Sequence, residues 1–158
     1  MKLIEEIYRI KSLLSENSDP YKIWVASNLE SDRGYCVYYL TENNSVIGSV
    51  TITDLNKMLN NKDFNNDDKL LHTNYGNLSN TAYAHTIVVE DQFRRLGYGL
   101  KLFKECENIA KHSGYDRISL CVKKNNIPSQ NMVKKLGFKQ HYSDGNKDLF
   151  ILELDRYL

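Results

Sequence analysis

The chain has 158 residues, 41% hydrophobic and 26% charged, with 21 basic side chains against 20 acidic ones. That length suits a single domain over residues 1–158, large enough to bury a core without staples. A formal net charge of +1 excludes a nucleic-acid protein that works through a strong positive field. Three widely spaced cysteines (Cys36, Cys106, Cys121) indicate neither a disulfide framework nor a zinc cluster, so a reduced, cytoplasmic protein without a metal is expected. Glu5 and Glu6 come too early for a signal peptide, and no apolar run approaches the ~20 residues that span a bilayer, so no membrane partner is expected.

In chain order, Leu3, Ile4, Ile7, Ile10, Leu13 and Leu14 fall at helical spacing and predict an amphipathic helix over 2–16, ended by Asn17-Ser18-Asp19-Pro20. Tyr21–Ser27 fits a strand or a short helix equally. Tyr35–Thr41 and Val46–Thr53 read as a hairpin across Glu42-Asn43-Asn44-Ser45, because the Asn pair tolerates positive φ. Residues 54–81 are polar and rich in Asn and Asp. Asp54 can cap one or two helical turns, and the remainder reads as a long polar insertion, either functional or merely floppy.

The second half is plainer. Ala82–Val89 is an expected strand, and Gly99–His112 an expected helix that buries Leu100, Phe103, Cys106, Ile109 and Ala110. Arg117–Val122 alternates as a strand. Pro128 opens a further helix that ends near Gly137, and Phe138–Tyr142 with Leu149–Leu154 form a last hairpin around Asp144-Gly145. The class is mixed α/β.

The stretch Ile87-Val88-Val89-Glu90-Asp91-Gln92-Phe93-Arg94-Arg95-Leu96-Gly97-Tyr98-Gly99-Leu100 runs a hydrophobic strand into a basic glycine turn that opens a helix. The first N–H groups of a helix lack internal partners and sit at its positive end, so such a turn can cradle a pyrophosphate. As a dinucleotide fingerprint it lacks the third glycine, since Leu102 stands there, and as a phosphate loop it lacks Gly-Lys-Ser/Thr. A turn that merely joins strand to helix would carry the same two glycines.

Arg94-x-x-Gly97-x-Gly99 followed by Asn126-x-x-Ser129 and Lys135-Leu136-Gly137-Phe138 resembles the GNAT superfamily of acetyl-CoA-dependent N-acetyltransferases, best over residues 82–140. The resemblance implies a GNAT-like fold: a central mixed sheet of six to seven strands splayed into a V, with helices on both faces. It implies acetyl-CoA as co-substrate, with the pantetheine arm along the backbone of Ile87, Val88 and Val89. The Ile87 N–H would face the thioester carbonyl. The pyrophosphate would lie on the N–H groups of Arg95, Leu96, Gly97, Tyr98, Gly99 and Leu100, with Arg94 as nearby charge. Asn126 and Ser129 match positions that touch the coenzyme, although Asn126 reads equally as a helix cap. Many relatives are dimers, so a homodimer fits, but no residue marks an interface.

Transfer to a primary amine of a small molecule, peptide or protein by direct attack is the implied reaction. His85 is the candidate base, on the same face as Ile87 and Val89 by strict alternation, with an ordinary pKa of ~6.5 that suits the task. A strand histidine can equally fill space. Tyr83, two residues back, is the next candidate. Much of the family carries a tyrosine acid two residues before the motif lysine, where this chain has Val133; Tyr142 and Cys121 are conceivable replacements. The departure keeps open a catalytically weak acyl-CoA-binding or regulatory module on the same fold.

Overall fold

The computed structural model describes residues 22–27, 35–40, 46–62, 64–76, 78–89 and 96–155. The helix expected over 2–16 lies outside them, as does the start of the basic turn, Glu90 to Arg95. The described strands are β1 (Lys22–Ser27), β2 (Tyr35–Leu40), β3 (Val46–Asp54), β4 (Thr81–Val89), β5 (Arg117–Lys123), β6 (Lys139–Ser143) and β7 (Lys147–Glu153). They form one sheet in the order β1-β2-β3-β4-β5-β7-β6. Every neighbouring pair is antiparallel except β4 and β5, which are parallel. Tyr21–Ser27, undecided by pattern, is therefore a strand from Lys22 onward, and the two strands of the expected 35–53 hairpin pair antiparallel, their turn at 41–45 lying outside the described residues.

Four helices are described: α1 (Leu55–Asn60), α2 (Asn66–Tyr75), α3 (Tyr98–His112) and α4 (Ile127–Lys135). On one face of the sheet, Ala82 and Ala84 of β4 and Ile118 and Leu120 of β5 share a core with Leu102, Phe103, Cys106, Ile109 and Ala110 of α3 and Val133 of α4. Each Leu, Ile or Phe buried there contributes roughly 1.5–3 kcal/mol. The alternate side chain of β4, Tyr83, belongs to a second cluster with Leu55, Met58 and Phe64. Helices therefore cover both faces.

The segment 54–81 corrects the expectation of an irregular insertion. Asp54 caps α1, accepting from the Asn56 (2.9 Å) and Lys57 (3.4 Å) N–H groups. Asn65 caps a second helix, α2, accepting from Asp67 (2.8 Å) and Asp68 (3.3 Å). The inward residues of α2 are Asp68, Leu71 and His72, while Leu70 is 57% exposed. Two of its three buried positions are polar, so hydrophobic spacing does not show it.

Those two polar residues fasten α2 to the sheet. A carbonyl oxygen can only accept, so His72 Nδ1 donates to the Asp68 carbonyl (2.7 Å). That leaves Nε2 to accept from the Ser119 hydroxyl (2.8 Å). Burial holds the His72 pKa below the ordinary value of 6.5, against the opposing pull of Asp68. The unfolded chain then binds the proton more readily than the native one. Stability is complete above pH 6.5 and falls as pH drops from there toward the native value, with a slope of at most ~1.4 kcal/mol per unit. Urea unfolding of wild type and His72→Gln across pH 4.5 to ~8 should show this increment of slope in wild type only.

Candidate active site

Parallel pairing of β4 with β5 covers only Thr81↔Arg117, Ala82↔Ile118 and Tyr83↔Ser119. Beyond that point β4 continues to Val89 and β5 to Lys123, so the strands part as a V. The gap is a cleft of about 390 Å³. Ala84, Leu120, Val122, Asn126, Ser129, Met132 and Val133 line it from the α3/α4 side, and Asp68, Tyr83, His85, Cys121, Lys123 and Lys147 from the α2 side.

β4 is bulged on its other edge. Its register with β3 steps from Thr51↔His85 to Ser49↔Val88, so three residues of β4 span what two of β3 do. A one-residue bulge inverts the alternation. Val89 accordingly packs against the α3/α4 core, whereas His85 lies with Tyr83 and Phe64. The expectation that His85 and Val89 share a face is corrected by this bulge, which strict period two cannot anticipate.

His85 is held between rings. It stacks on Tyr83 (centroids 5.3 Å apart, 13° between planes) and meets the Phe64 ring edge to face (5.0 Å, 76°). The Tyr83 hydroxyl donates to Asp68 Oδ2, and the Lys147 ammonium donates to Asp68 Oδ1 (2.7 Å). Burial, the Asp68 charge and this hydrogen bond push the Tyr83 pKa up. Burial works against the Lys147 charge, but the hydrogen bond and charge of Asp68 outweigh it and raise the Lys147 pKa. Burial and Asp68 also push the Cys121 thiol up, so it stays protonated. Lys147, His72 and Ser119 were not singled out for the site by sequence, whereas Asp68 is one of several acidic residues, with Asp54, Asp67 and Glu90, that could attract an amine.

Helix α3 starts on Gly97, whose φ of 86° lies in the left-handed region that favours glycine. Among the described helices α3 is the one with no side-chain cap; Asp54, Asn65 and Asn126 cap the other three. An uncapped start is where the oxygens of an anion can sit. Gly99 serves another purpose: a Cβ there would lie 3.0 Å from Met132 Sδ and 3.9 Å from Val89 Cγ2, so it lets α3 press against α4 and β4. Leu96 is 62% exposed, Tyr98 is buried and Leu100 is half-buried. Arg94 and Arg95 lie outside the described residues.

Asn126 is indeed the cap of α4, accepting from the Ser129 N–H (3.3 Å), and both residues also line the cleft. Val133 is fully buried against it. Tyr142 lies on the edge strand β6 against Tyr75 (6.4 Å between centroids), away from the cleft lining. Among the described residues no group of three or more His, Cys, Asp or Glu could hold a metal ion, and no helix is long and apolar enough to cross a membrane.

The parting of β4 from β5 and the glycine start of α3 match what the resemblance to acyl-CoA N-acyltransferases implies for the fold. A profile of the acetyltransferase (GNAT) family matches residues 1–138, and the chain belongs to that family. No curated protein matches the sequence. Solved structures share the fold at low identity. A GNAT-family acetyltransferase from Staphylococcus aureus Mu50 superposes with a TM-score of 0.58 at 15% identity, over 81% of this chain and 72% of that one. A Klebsiella pneumoniae protein described as an acyl-CoA N-acyltransferase gives 0.61 at 12%, over 98% and 90%. A Bacillus anthracis protein described as a streptothricin acetyltransferase, in complex with acetyl coenzyme A, gives 0.59 at 18%, over 90% of each. Some matched proteins are longer, and the chain spans 64–65% of three of them.

The Tyr83 hydroxyl can be removed without removing its ring. Tyr83→Phe leaves the buried Asp68 carboxylate one donor short, which costs about 1–3 kcal/mol, and keeps the stack on His85. Chemical denaturation should show that loss, whereas Tyr83→Leu should lose more.

Proposed function

We propose that the protein transfers the acetyl group of acetyl-CoA to a primary amine by direct attack within a ternary complex, in the V between β4 and β5. The observation that carries this reading is the parting of β4 from β5 after three residue pairs, with His85 on one wall and, on the other, Met132, against which Gly99 near the start of α3 packs. The family match and the coenzyme bound in the Bacillus anthracis structure support it.

Acetyl-CoA, when bound, supplies the acetyl group as an activated thioester. The backbone of Ile87, Val88 and Val89 would pair with the pantetheine amides. The N–H groups of Arg95, Leu96, Gly97, Tyr98, Gly99 and Leu100 would hold the pyrophosphate, with Arg94 beside them and Asn126 and Ser129 on the α4 side. The Ile87 N–H, at the bulge, would donate to the carbonyl oxygen as negative charge grows there.

His85 in its neutral form would take the proton of the acceptor ammonium, directly or through water. An alkylamine of pKa ~10.4 is about three units above neutral pH, so keeping it neutral costs ~4 kcal/mol. On this reading Tyr83 acts as the platform that fixes the imidazole plane, because its own proton is committed to Asp68. Val133 offers no proton to the leaving thiolate. Its buried position favours the second reading, a catalytically weak acyl-CoA-binding or regulatory module.

Thermal unfolding with saturating acetyl-CoA, against ATP and NAD, tests the coenzyme site. At a hundredfold excess over Kd the stabilisation is ~2.7 kcal/mol, or ~2–4 °C in Tm for each kcal/mol. CoA release with an amine panel then separates the two readings. His85→Gln should lower kcat by roughly 10²–10⁴ while the acetyl-CoA shift persists. An unchanged rate across pH would remove His85 as base, and a plain coenzyme shift without CoA release would favour the binding module.

A further inference from the structure

The α2 side of the cleft carries more positive than negative charge. Lys123 of β5 and Lys147 of β7 are direct register partners, and both line the cleft. Residues directly opposite in an antiparallel pair project from the same face, and like charges so placed oppose each other. Lys147 has only 12% of its side chain exposed. The next lysine, Lys124, is already paired with Asp148 (3.6 Å), which lies outside the cleft lining.

Asp68 is the carboxylate that answers this pair, and both its oxygens are engaged: Oδ1 by Lys147 and Oδ2 by the Tyr83 hydroxyl. Each oxygen keeps a further lone pair, but Asp68 is only 8% exposed and its charge is already set against Lys147. Lys147, by contrast, uses one of three N–H donors on Asp68. Two ammonium groups thus stand against one carboxylate, and the net charge offered to a ligand is positive.

We propose that Lys123 and Lys147 form a carboxylate-binding subsite at the acceptor end of the cleft, so that the acceptor is an amine that also carries a carboxylate. For the amine this rests on the acetyl-transfer reading; for the carboxylate it rests on the lysine pair alone. The subsite has a chemical consequence as well. A nearby positive charge disfavours the ammonium form of the acceptor, so the same pair that anchors the carboxylate lowers the amine pKa toward the neutral nucleophile.

The test compares straight-chain ω-amino carboxylates with their carboxamides of equal length and with ω-aminoalkyl phosphates, in which the amine is nearly unchanged. Wild type should favour the best carboxylate over its carboxamide by roughly tenfold or more in kcat/KM, the scale of a charge-assisted hydrogen bond. Lys147→Met and Lys123→Met should each erode that preference, and Lys147→Arg should keep most of it. Equal rates for carboxylate and carboxamide in wild type would overturn the proposal whatever the variants do, and so would a preference for the phosphates.

If no amine releases CoA, the transfer reading fails while the subsite is still tested. Acetyl-CoA-loaded protein should then melt higher with the carboxylate than with the carboxamide, a difference that Lys147→Met or the exposed Lys123→Met abolishes. Equal melting would overturn the subsite.

Discussion

The cleft depends on a side-chain bond at its vertex. Two parallel strands that pair over three residues and then diverge have little backbone ladder to hold them, and pulling them apart further would expose the core beneath. The last pair, Tyr83↔Ser119, is where α2 takes hold. Asp68 receives the Tyr83 hydroxyl, and His72, one turn later, receives that of Ser119. One helix thus ties both strands at the point where they separate, and Lys147 extends the tie to β7. Asp68, Tyr83, His72 and Ser119 are buried, so each must be satisfied or the network would cost more than an apolar packing of the same volume. In the described structure Asp68, His72, Ser119 and Tyr83 all find partners.

The bulge on β4 divides the labour of the cleft. Up to His85 the strand presents Tyr83 and His85 to the α1/α2 side and Ala82 and Ala84 to the α3/α4 side. After the extra residue the sides exchange, and Val89 joins the α3/α4 core beneath Gly99. The rings that would handle the amine therefore face one way, while Val89 at the end of the strand packs the other way. On the proposed reading coenzyme and acceptor approach from opposite faces of the sheet and meet in the gap.

Much of this was legible in the sequence, for reasons that differ by element. α3 shows itself because its buried row is apolar at helical spacing, and Gly97 and Gly99 announce a turn that other residues could not make. Even there the two glycines have different causes: positive φ at Gly97, and close contact with Met132 at Gly99. α2 was illegible because it inverts the usual rule, turning Asp68 and His72 inward and Leu70 outward. The parity switch at the bulge was hidden because alternation contains no mark of an inserted residue. The opposition of Lys123 and Lys147 depends on the register of two strands that are neighbours in the sheet but not consecutive in sequence, which local pattern does not encode.

The same charges bear on the missing phenol at Val133. Of the other protic groups in the cleft, Tyr83 and Cys121 are both pushed toward holding their protons, so neither is a good acid for a departing thiolate. A thiol of pKa ~8.5 leaves tolerably as its anion. On the proposed reading, the lysine pair acts on the acceptor, favouring the neutral amine before attack, and the thiolate departs as its own anion. Such a leaving group can spare the tyrosine that the resemblance implies, and Val133 is given over to packing α4 against the core.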